Sequence, residues 1–382
     1  MHRQTEIAAE SAFGLDLARA SGQLQEGRRW NHAPSFVAHN SPWLVTKRST
    51  CRAPAFHGLA QPIDLTMILV AGSANLDFVV RAGHIPGPGE TVLGHGFKTY
   101  PGGKGANQAV ASCRAGAAAT QMVVAFGDDA FASTLEASLR AAGVGLHIAR
   151  VPDSPTGTAF ICVSDNAENA ITVAPGANTA LMATDLPPLS GYSHLLMQLE
   201  TPLATVTACA RLAHSAGVKV VLNAAPAQPL PAELLALVDI LIVNEGELAA
   251  IAAHSGTVAE CLERLPGSIV VVTLGERGCC ARVHGQYVLQ SAFPVQPVDT
   301  TAAGDTFCGA LVAALDHGLG ITTALRRASA AAALACTQAG AQSSIPTHQA
   351  VVELIGQTAH DPSDELRALR IYCGLAASPL NP

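Results

Sequence analysis

From residue 67 to about 356, short apolar runs rich in β-branched residues alternate with stretches whose apolar positions recur every three to four residues. The first kind predicts strands at 67–72, 122–127, 194–199, 218–222, 239–243 and 269–273. The second predicts helices at 106–114, 131–142, 203–215, 247–253, 303–316 and 323–337. Val218-Lys219-Val220-Val221-Leu222 and Ile269-Val270-Val271-Val272 are nearly continuous, the mark of parallel strands buried on both faces. Gly116 and Gly143 stand just past helix ends, where a left-handed cap is expected. The last two helices are Ala-rich, which lets backbones approach closely. Together these elements predict an α/β fold, a doubly wound, mostly parallel sheet with helices on both faces.

Two stretches break the alternation. Residues 83–90 read as a turn-rich loop, 91–100 as extended, and Pro101-Gly102-Gly103-Lys104-Gly105 as a break. Residues 158–164 and 170–173 flank the polar turn Asp165-Asn166-Ala167-Glu168-Asn169, a hairpin signal. The pieces near 76–100 and 157–173 are expected to form a small β-sheet laid as a lid over the C-terminal edge of the main strands. Residues 1–66 hold neither period for long, carry both tryptophans (Trp30 and Trp43), and are broken by Pro34, Pro42, Pro54 and Pro62. They suggest one short amphipathic helix at 6–20 and no secretory signal, while Glu6, Glu10, Asp16 and Glu26 count against a transit peptide. Translation is expected to begin at Met67, with 1–66 an extension that is disordered or not translated, 67–356 the working domain, and 357–382 a tail.

Composition narrows the class. A chain of 382 residues, 49% hydrophobic and 13% charged, can bury a full core and is too apolar to be disordered. At roughly 150 residues per domain, it fits two domains or one large α/β unit. No run reaches the ~18 apolar residues of a membrane span. A net charge of −7 argues against a nucleic-acid partner. The ten cysteines are scattered, without CxxC or zinc spacing, as expected of buried thiols in a reducing cytoplasm. A soluble cytoplasmic enzyme remains.

Asp299-Thr300-Thr301-Ala302-Ala303-Gly304-Asp305-Thr306-Phe307 opens a helix. Small residues there leave backbone N–H groups free for an anion, and the helix dipole adds to that. A carboxylate at such a site is repelled by phosphate unless it has chemical work. Asp305 can accept a proton from a hydroxyl attacking phosphorus; the plainer alternative is a first-turn helix carboxylate. Gly102-Gly103-Lys104-Gly105-Ala106-Asn107-Gln108 is not a Walker loop, since no Ser or Thr follows Lys104. It is a ligand-approach turn or a simple loop, with Lys104 and Asn107 able to bind hydroxyls. Asn75 and Asp77 follow the first strand as polar ligands or turn formers. Thr273-Leu274-Gly275-Glu276-Arg277-Gly278 suits a nucleotide phosphate or ribose. In Asn244-Glu245-Gly246-Glu247, Asn244 and Glu247 can hold Mg²⁺ through water or complement a helix dipole.

These motifs resemble those of the phosphofructokinase-B (PfkB) sugar kinases, over residues 67–356. The 299–307 segment marks the family. The 102–108 segment, with Met197-Gln198-Leu199-Glu200 and Ala174-Pro175-Gly176-Ala177-Asn178, points within it towards the ribokinases. The resemblance implies ATP-dependent phosphorylation of D-ribose at its 5-hydroxyl. Asn75, Asp77, Gly103, Lys104, Asn107 and Glu200 would bind ribose, and Asp305 would be the base. Ala302, Ala303 and Gly304 would form the anion hole. Asn244, Thr273, Leu274, Gly275, Glu276, Arg277, Gly278, Gly304 and Ser329 would line the ATP site, with Glu247 near Mg²⁺. It further implies a potassium site at Asp299, Thr301, Ala335, Gln338, Gly340 and Ser344, largely through carbonyls, and a homodimer joined through the lid strands.

Two positions depart from the family pattern. Asn223-Ala224-Ala225-Pro226 lacks one proline of the usual Asn-Pro-Ala-Pro, and Ser329 stands where a histidine often lies near adenine. A kinase of 2-deoxyribose or of a nucleoside is the alternative within the family, and a non-catalytic sugar-binding protein the alternative outside it. A dinucleotide oxidoreductase is disfavoured because no G-x-G-x-x-G follows the first strand.

Overall fold

Each β-branched run finds a parallel neighbour, and together they assemble one large sheet. The computed structural model describes residues 66–166, 168–357 and 363–375; the helix expected at 6–20 lies outside them. The strands are β1 (Met67–Ala71), β2 (Asn75–Ala82), β3 (Gly96–Gly102), β4 (Thr120–Phe126), β5 (Gly145–Arg150), β6 (Thr158–Ser164), β7 (Asn169–Ala174), β8 (Tyr192–Met197), β9 (Lys219–Asn223), β10 (Ile240–Asn244), β11 (Ile269–Thr273), β12 (Cys279–Val283) and β13 (Gln286–Gln290). The helices are α1 (Lys104–Arg114), α2 (Ala130–Ala141), α3 (Leu203–Ser215), α4 (Ala232–Leu237), α5 (Glu245–Ala252), α6 (Val258–Glu263), α7 (Ala303–Asp316), α8 (Ile321–Ala335), α9 (His348–Gln357) and α10 (Ser363–Tyr372).

The nine-stranded sheet runs β13-β12-β11-β10-β9-β8-β1-β4-β5, parallel from β11 to β5 with β12 and β13 antiparallel at one edge. Alternate residues of β1 go to opposite faces: Ile68 and Val70 join the core under α1, α2, α7, α8 and α9, and Leu69 and Ala71 the core under α3, α4, α5, α6 and α10. Burying such a side chain stabilises by about 1.5–3 kcal/mol. Strand order reverses at β1, which lies between β4 and β8. The C-terminal ends of β1 and β8 therefore open the crevice where such sheets bind ligands. The second sheet, β3-β2-β6-β7, is the expected lid.

Several boundaries differ from expectation. β3 begins at Gly96 rather than 91 and runs through Pro101, which pairs with Leu76. Proline fits there because β3 is an edge strand and needs no N–H on its open side. α1 starts at Lys104 and α5 at Glu245, each two residues early. Elements β5, α4, α6, β12, β13, α9 and α10 are not among those the sequence pattern predicts. The β12–β13 hairpin turns at His284 and Gly285, φ 48° and 80°, the paired positive angles of a primed two-residue turn. α10 shows that the 357–382 stretch holds a packed element: Leu369 and Cys373 are buried in the core.

Candidate active site

Small residues bring together the half of the site built on α1, α7 and the turn after β1. On α7, a Cβ at Gly309 would lie 2.4 Å from Gln108 O and 2.6 Å from Ala111 Cβ, so α7 and α1 nearly touch. That contact sets Asp305, in the first turn of α7, against Asn107 and Gln108 of α1. α1 in turn presses on the turn after β1: a Cβ at Gly105 would lie 2.6 Å from Ser73 N. Gly103 caps α1 at φ 89°, and a Cβ there would lie 2.7 Å from Ala74 Cα. A Cβ at Gly102 would overlap the Asp77 carboxylate at 2.1 Å. Only glycine admits these approaches.

The polar groups interlock. Asp305 accepts from Asn107 Nδ2 and from Gln108 Nε2, both at 2.9 Å. Gln108 Nε2 also donates to Asn223 Oδ1 at 2.9 Å, and Gln108 Oε1 accepts from Gln198 Nε2 at 2.6 Å. Glu200 accepts from Ser73 Oγ at 2.5 Å and from the Lys104 N–H at 3.0 Å. Burial raises the Asp305 pKa, opposed by the Lys104 charge and the two amide hydrogen bonds. The Lys104 pKa is raised, chiefly by Asp305 and against the effect of burial. Asp77 is pushed up to about 7 by burial and by the charges of Glu200 and Asp305. Asn75 Oδ1 accepts from Asn178 Nδ2 at 2.8 Å, so Asn75 is tied to the 176–180 turn. Asn107 Oδ1 is buried without a hydrogen-bond partner among the described residues, a free acceptor at the site.

The half built on the start of α5 and the turn between β11 and β12 is more exposed. Asn244 and Glu247 cap α5 reciprocally, Asn244 N–H to Glu247 Oε2 and Glu247 N–H to Asn244 Oδ1, both at 2.8 Å. Glu247 is buried, its pKa raised by burial and also influenced by the charges of Lys104 and Asp305, so it belongs to the same electrostatic site. Thr273 ends β11, and Leu274 to Gly278 form a tight turn closed by Leu274 N–H to Gly278 O at 2.8 Å. Glu276 and Arg277 are exposed on it. Ser329, on α8, is buried with its hydroxyl 3.9 Å from Cys279 Sγ.

At the start of α7, Ala302 adopts a left-handed φ of 59°. Thr300 O takes the Ala303 N–H at 3.2 Å, while the N–H groups of Gly304 and Asp305 have no backbone acceptor among the described residues. Asp299 accepts from Thr301 N–H and Gly340 N–H, each at 2.9 Å, tying the 298–302 loop to the 336–344 loop that carries Gln338 and Ser344. Ala335 ends α8 beside that loop.

A buried carboxylate beside an open helix N-terminus, facing a lysine and a carboxamide pair, matches a phosphoryl-transfer site. Residues 65–348 match the family described as pfkB family carbohydrate kinase. The chain belongs to that family. This pfkB kinase is 40% identical over 300 residues to a ribokinase of Haemophilus influenzae, covering 75% of this chain and 98% of that protein. It is 40% identical over 293 residues to a Bacillus subtilis ribokinase, covering 75% and 99%. Among solved structures, Thermotoga maritima ribokinase superposes with a TM-score of 0.72 at 35% identity, covering 76% of this chain and 100% of that one. Arabidopsis thaliana ribokinase, complexed with ribose and ATP, gives 0.70 at 32%, covering 76% and 98%.

Gln108, Ser73, Asn178 and Gln198 were not singled out from the sequence as site residues. Gln108, Asn178 and Gln198 lie inside the motifs, but their partners are about 90 to 200 residues away, so no local spacing reveals their roles. Among the described residues, no helix is long and apolar enough to cross a membrane, and no three His, Cys, Asp or Glu side chains converge as metal ligands.

Proposed function

We propose that this pfkB kinase phosphorylates D-ribose at its 5-hydroxyl with ATP, giving D-ribose 5-phosphate and ADP. The observation that carries the chemistry is Asp305, buried and pinned by Asn107 and Gln108 where two N–H groups of α7 remain open. Burial raises its proton affinity, which suits a base that takes the hydroxyl proton as the oxygen attacks phosphorus. Asn75, Asp77, Gly103, Lys104, Asn107 and Glu200 bind the sugar, with Asn107 Oδ1 as a ready acceptor. The N–H groups of Gly304 and Asp305 receive the migrating phosphoryl group, and Lys104 offsets its charge. Asn244 and residues 273–278 hold the nucleotide. Glu247 would lie near a nucleotide-bound Mg²⁺ and meet it through water, and the ion would supply positive charge to the phosphates. The lid excludes water so that ATP reacts with sugar alone.

The 298–302 and 336–344 loops are assigned a potassium ion beside the anion hole, on the carbonyls those loops carry. The lid is assigned a homodimer contact, because Phe97, Phe160, Ile171 and Val173 are 44–65% exposed on it. Protein beginning at Met67 tests all of this in a coupled ADP-release assay with ribose, 2-deoxyribose, fructose or adenosine, with and without potassium. Ribose-dependent turnover that rises with potassium is expected. Preference for another acceptor overturns the substrate, and no turnover overturns catalysis. A monomer by light scattering overturns the lid contact.

A further inference from the structure

α10 reaches both loops of the nucleotide-facing half, although it lies past residue 348, where the family match ends. Tyr372 Oη donates to Glu245 Oε1 at 2.6 Å, and Glu245 opens α5 directly after Asn244. The same ring lies under the Arg277 guanidinium, 4.4 Å from its centroid, and Arg277 belongs to the 275–278 turn. One side chain thus spans the β10–α5 and β11–β12 loops. Its own position is fixed from below. Leu369 and Cys373 are buried with Val258, Cys261 and Cys280. The Cys373 carbonyl accepts from Ala259 N–H at 2.9 Å, and a Cβ at Gly374 would lie 2.6 Å from Thr257 Cβ.

We propose that α10 is a strut of the nucleotide site, with Tyr372 as a positioning residue that pre-orders the 244–247 and 274–278 segments. Glu245 and Arg277 are exposed, so without the ring both loops would sample more conformations and nucleotide binding would bear the cost of ordering them. Among the described residues, the side-chain hydrogen bonds of Asn75, Asn107, Glu200 and Asp305 run to one another and to Ser73, Lys104, Gln108 and Asn178, not to Tyr372, so sugar affinity and the chemical step should not depend on that side chain. This inference rests on the nucleotide half proposed above.

The test uses the full chain with Tyr372→Phe, Tyr372→Ala and Glu245→Gln, measuring KM for ATP and for ribose, kcat, and the Kd of MgADP by calorimetry. Tyr372→Ala is expected to raise the ATP KM and the ADP Kd about fivefold and Tyr372→Phe about twofold, with kcat and ribose KM within about twofold. The Tyr372→Phe and Glu245→Gln double variant should be no weaker for ADP than the worse single variant, since both act on the same bond, Phe by removing the donor and Gln by leaving only a neutral acceptor. Equal losses for ATP and ribose with a lowered Tm, or unchanged nucleotide constants, overturn the strut. If wild-type protein binds MgADP without turning over ribose, the kinase proposal fails and the calorimetric series still decides the strut. If Tyr372→Ala does not fold, the Tyr372→Phe cycle decides it. Wild-type protein that does not bind MgADP overturns both.

Discussion

Gly103 and Gly275 both hold positive φ, 89° and 58°, one in each half of the cleft. A Cβ at Gly103 would lie 2.7 Å from Ala74 Cα and from Asn75 N, whereas one at Gly275 would meet nothing within 4 Å. The contrast extends to their surroundings. On the sugar side, Asn75, Asn107, Gln108 and Asp305 are buried and joined to partners from distant parts of the chain. On the nucleotide side, Asn244, Glu245, Gly275, Glu276 and Arg277 are exposed, and local caps and one tail helix hold them. Recognition by close packing tolerates little change. An exposed backbone turn, holding a ligand by N–H groups, tolerates much more.

Removing the sugar-side carboxylate should have the largest effect. Asp305→Ala is expected to lower kcat by about 10³-fold or more while ribose still binds, as seen by calorimetry. Retention of more than about a tenth of the wild-type rate would remove Asp305 from the base role. Paired glycine variants test the contrast directly. Gly103→Ala combines strain with a backbone clash costing about 1–3 kcal/mol, so ribose KM should rise roughly 10–100-fold. Gly275→Ala should alter the ATP KM by only a few-fold, since a left-handed alanine costs about 1 kcal/mol and meets no neighbour. Equal penalties at the two positions would break the comparison.

pH gives a subtler separation. Asp77, whose pKa is pushed up to about 7, accepts hydroxyls best as the carboxylate, so its proposed role at the sugar makes binding pH-dependent. Ribose KM should therefore rise as pH falls below 7, approaching about tenfold per unit, while ATP KM changes less. Stability moves in the opposite sense. Because the folded pKa lies above the ordinary 3.8, the protonated carboxyl favours the fold, and that contribution fades as pH rises through 7. Asp77→Asn should raise Tm at pH 8, by the equivalent of about 4 kcal/mol, and leave it nearly unchanged at pH 4. A variant less stable at pH 8 than wild type would refute the burial explanation.

Much of this architecture was legible along the chain. The predicted ranges of α3, β11 and α7 coincide with the observed ones, because their patterns are long or strongly apolar. The six-residue helices α4 and α6 bury too few positions to show a period, and the β12–β13 hairpin hid behind a turn read as a ligand loop. In the site, the glycines and Asp305 stood out locally. Gln108 did not, since its worth lies in meeting Asp305, Asn223 and Gln198.

The sequence by itself determined the alternating strand–helix pattern that β1, β4, β8 to β11, α1 to α3, α5, α7 and α8 follow, the separate lid, and the two glycine-bearing segments at 102–108 and 299–307 on which the proposed chemistry rests. Periodicity and glycine placement act within a few residues, so they survive in one dimension. Tertiary structure alone decided that Asn107 and Gln108 would grip a carboxylate nearly two hundred positions away, and that Tyr372 would lean on Glu245 and Arg277. Those contacts depend on helix approach and on burial, which exist only once the sheet has brought remote segments together.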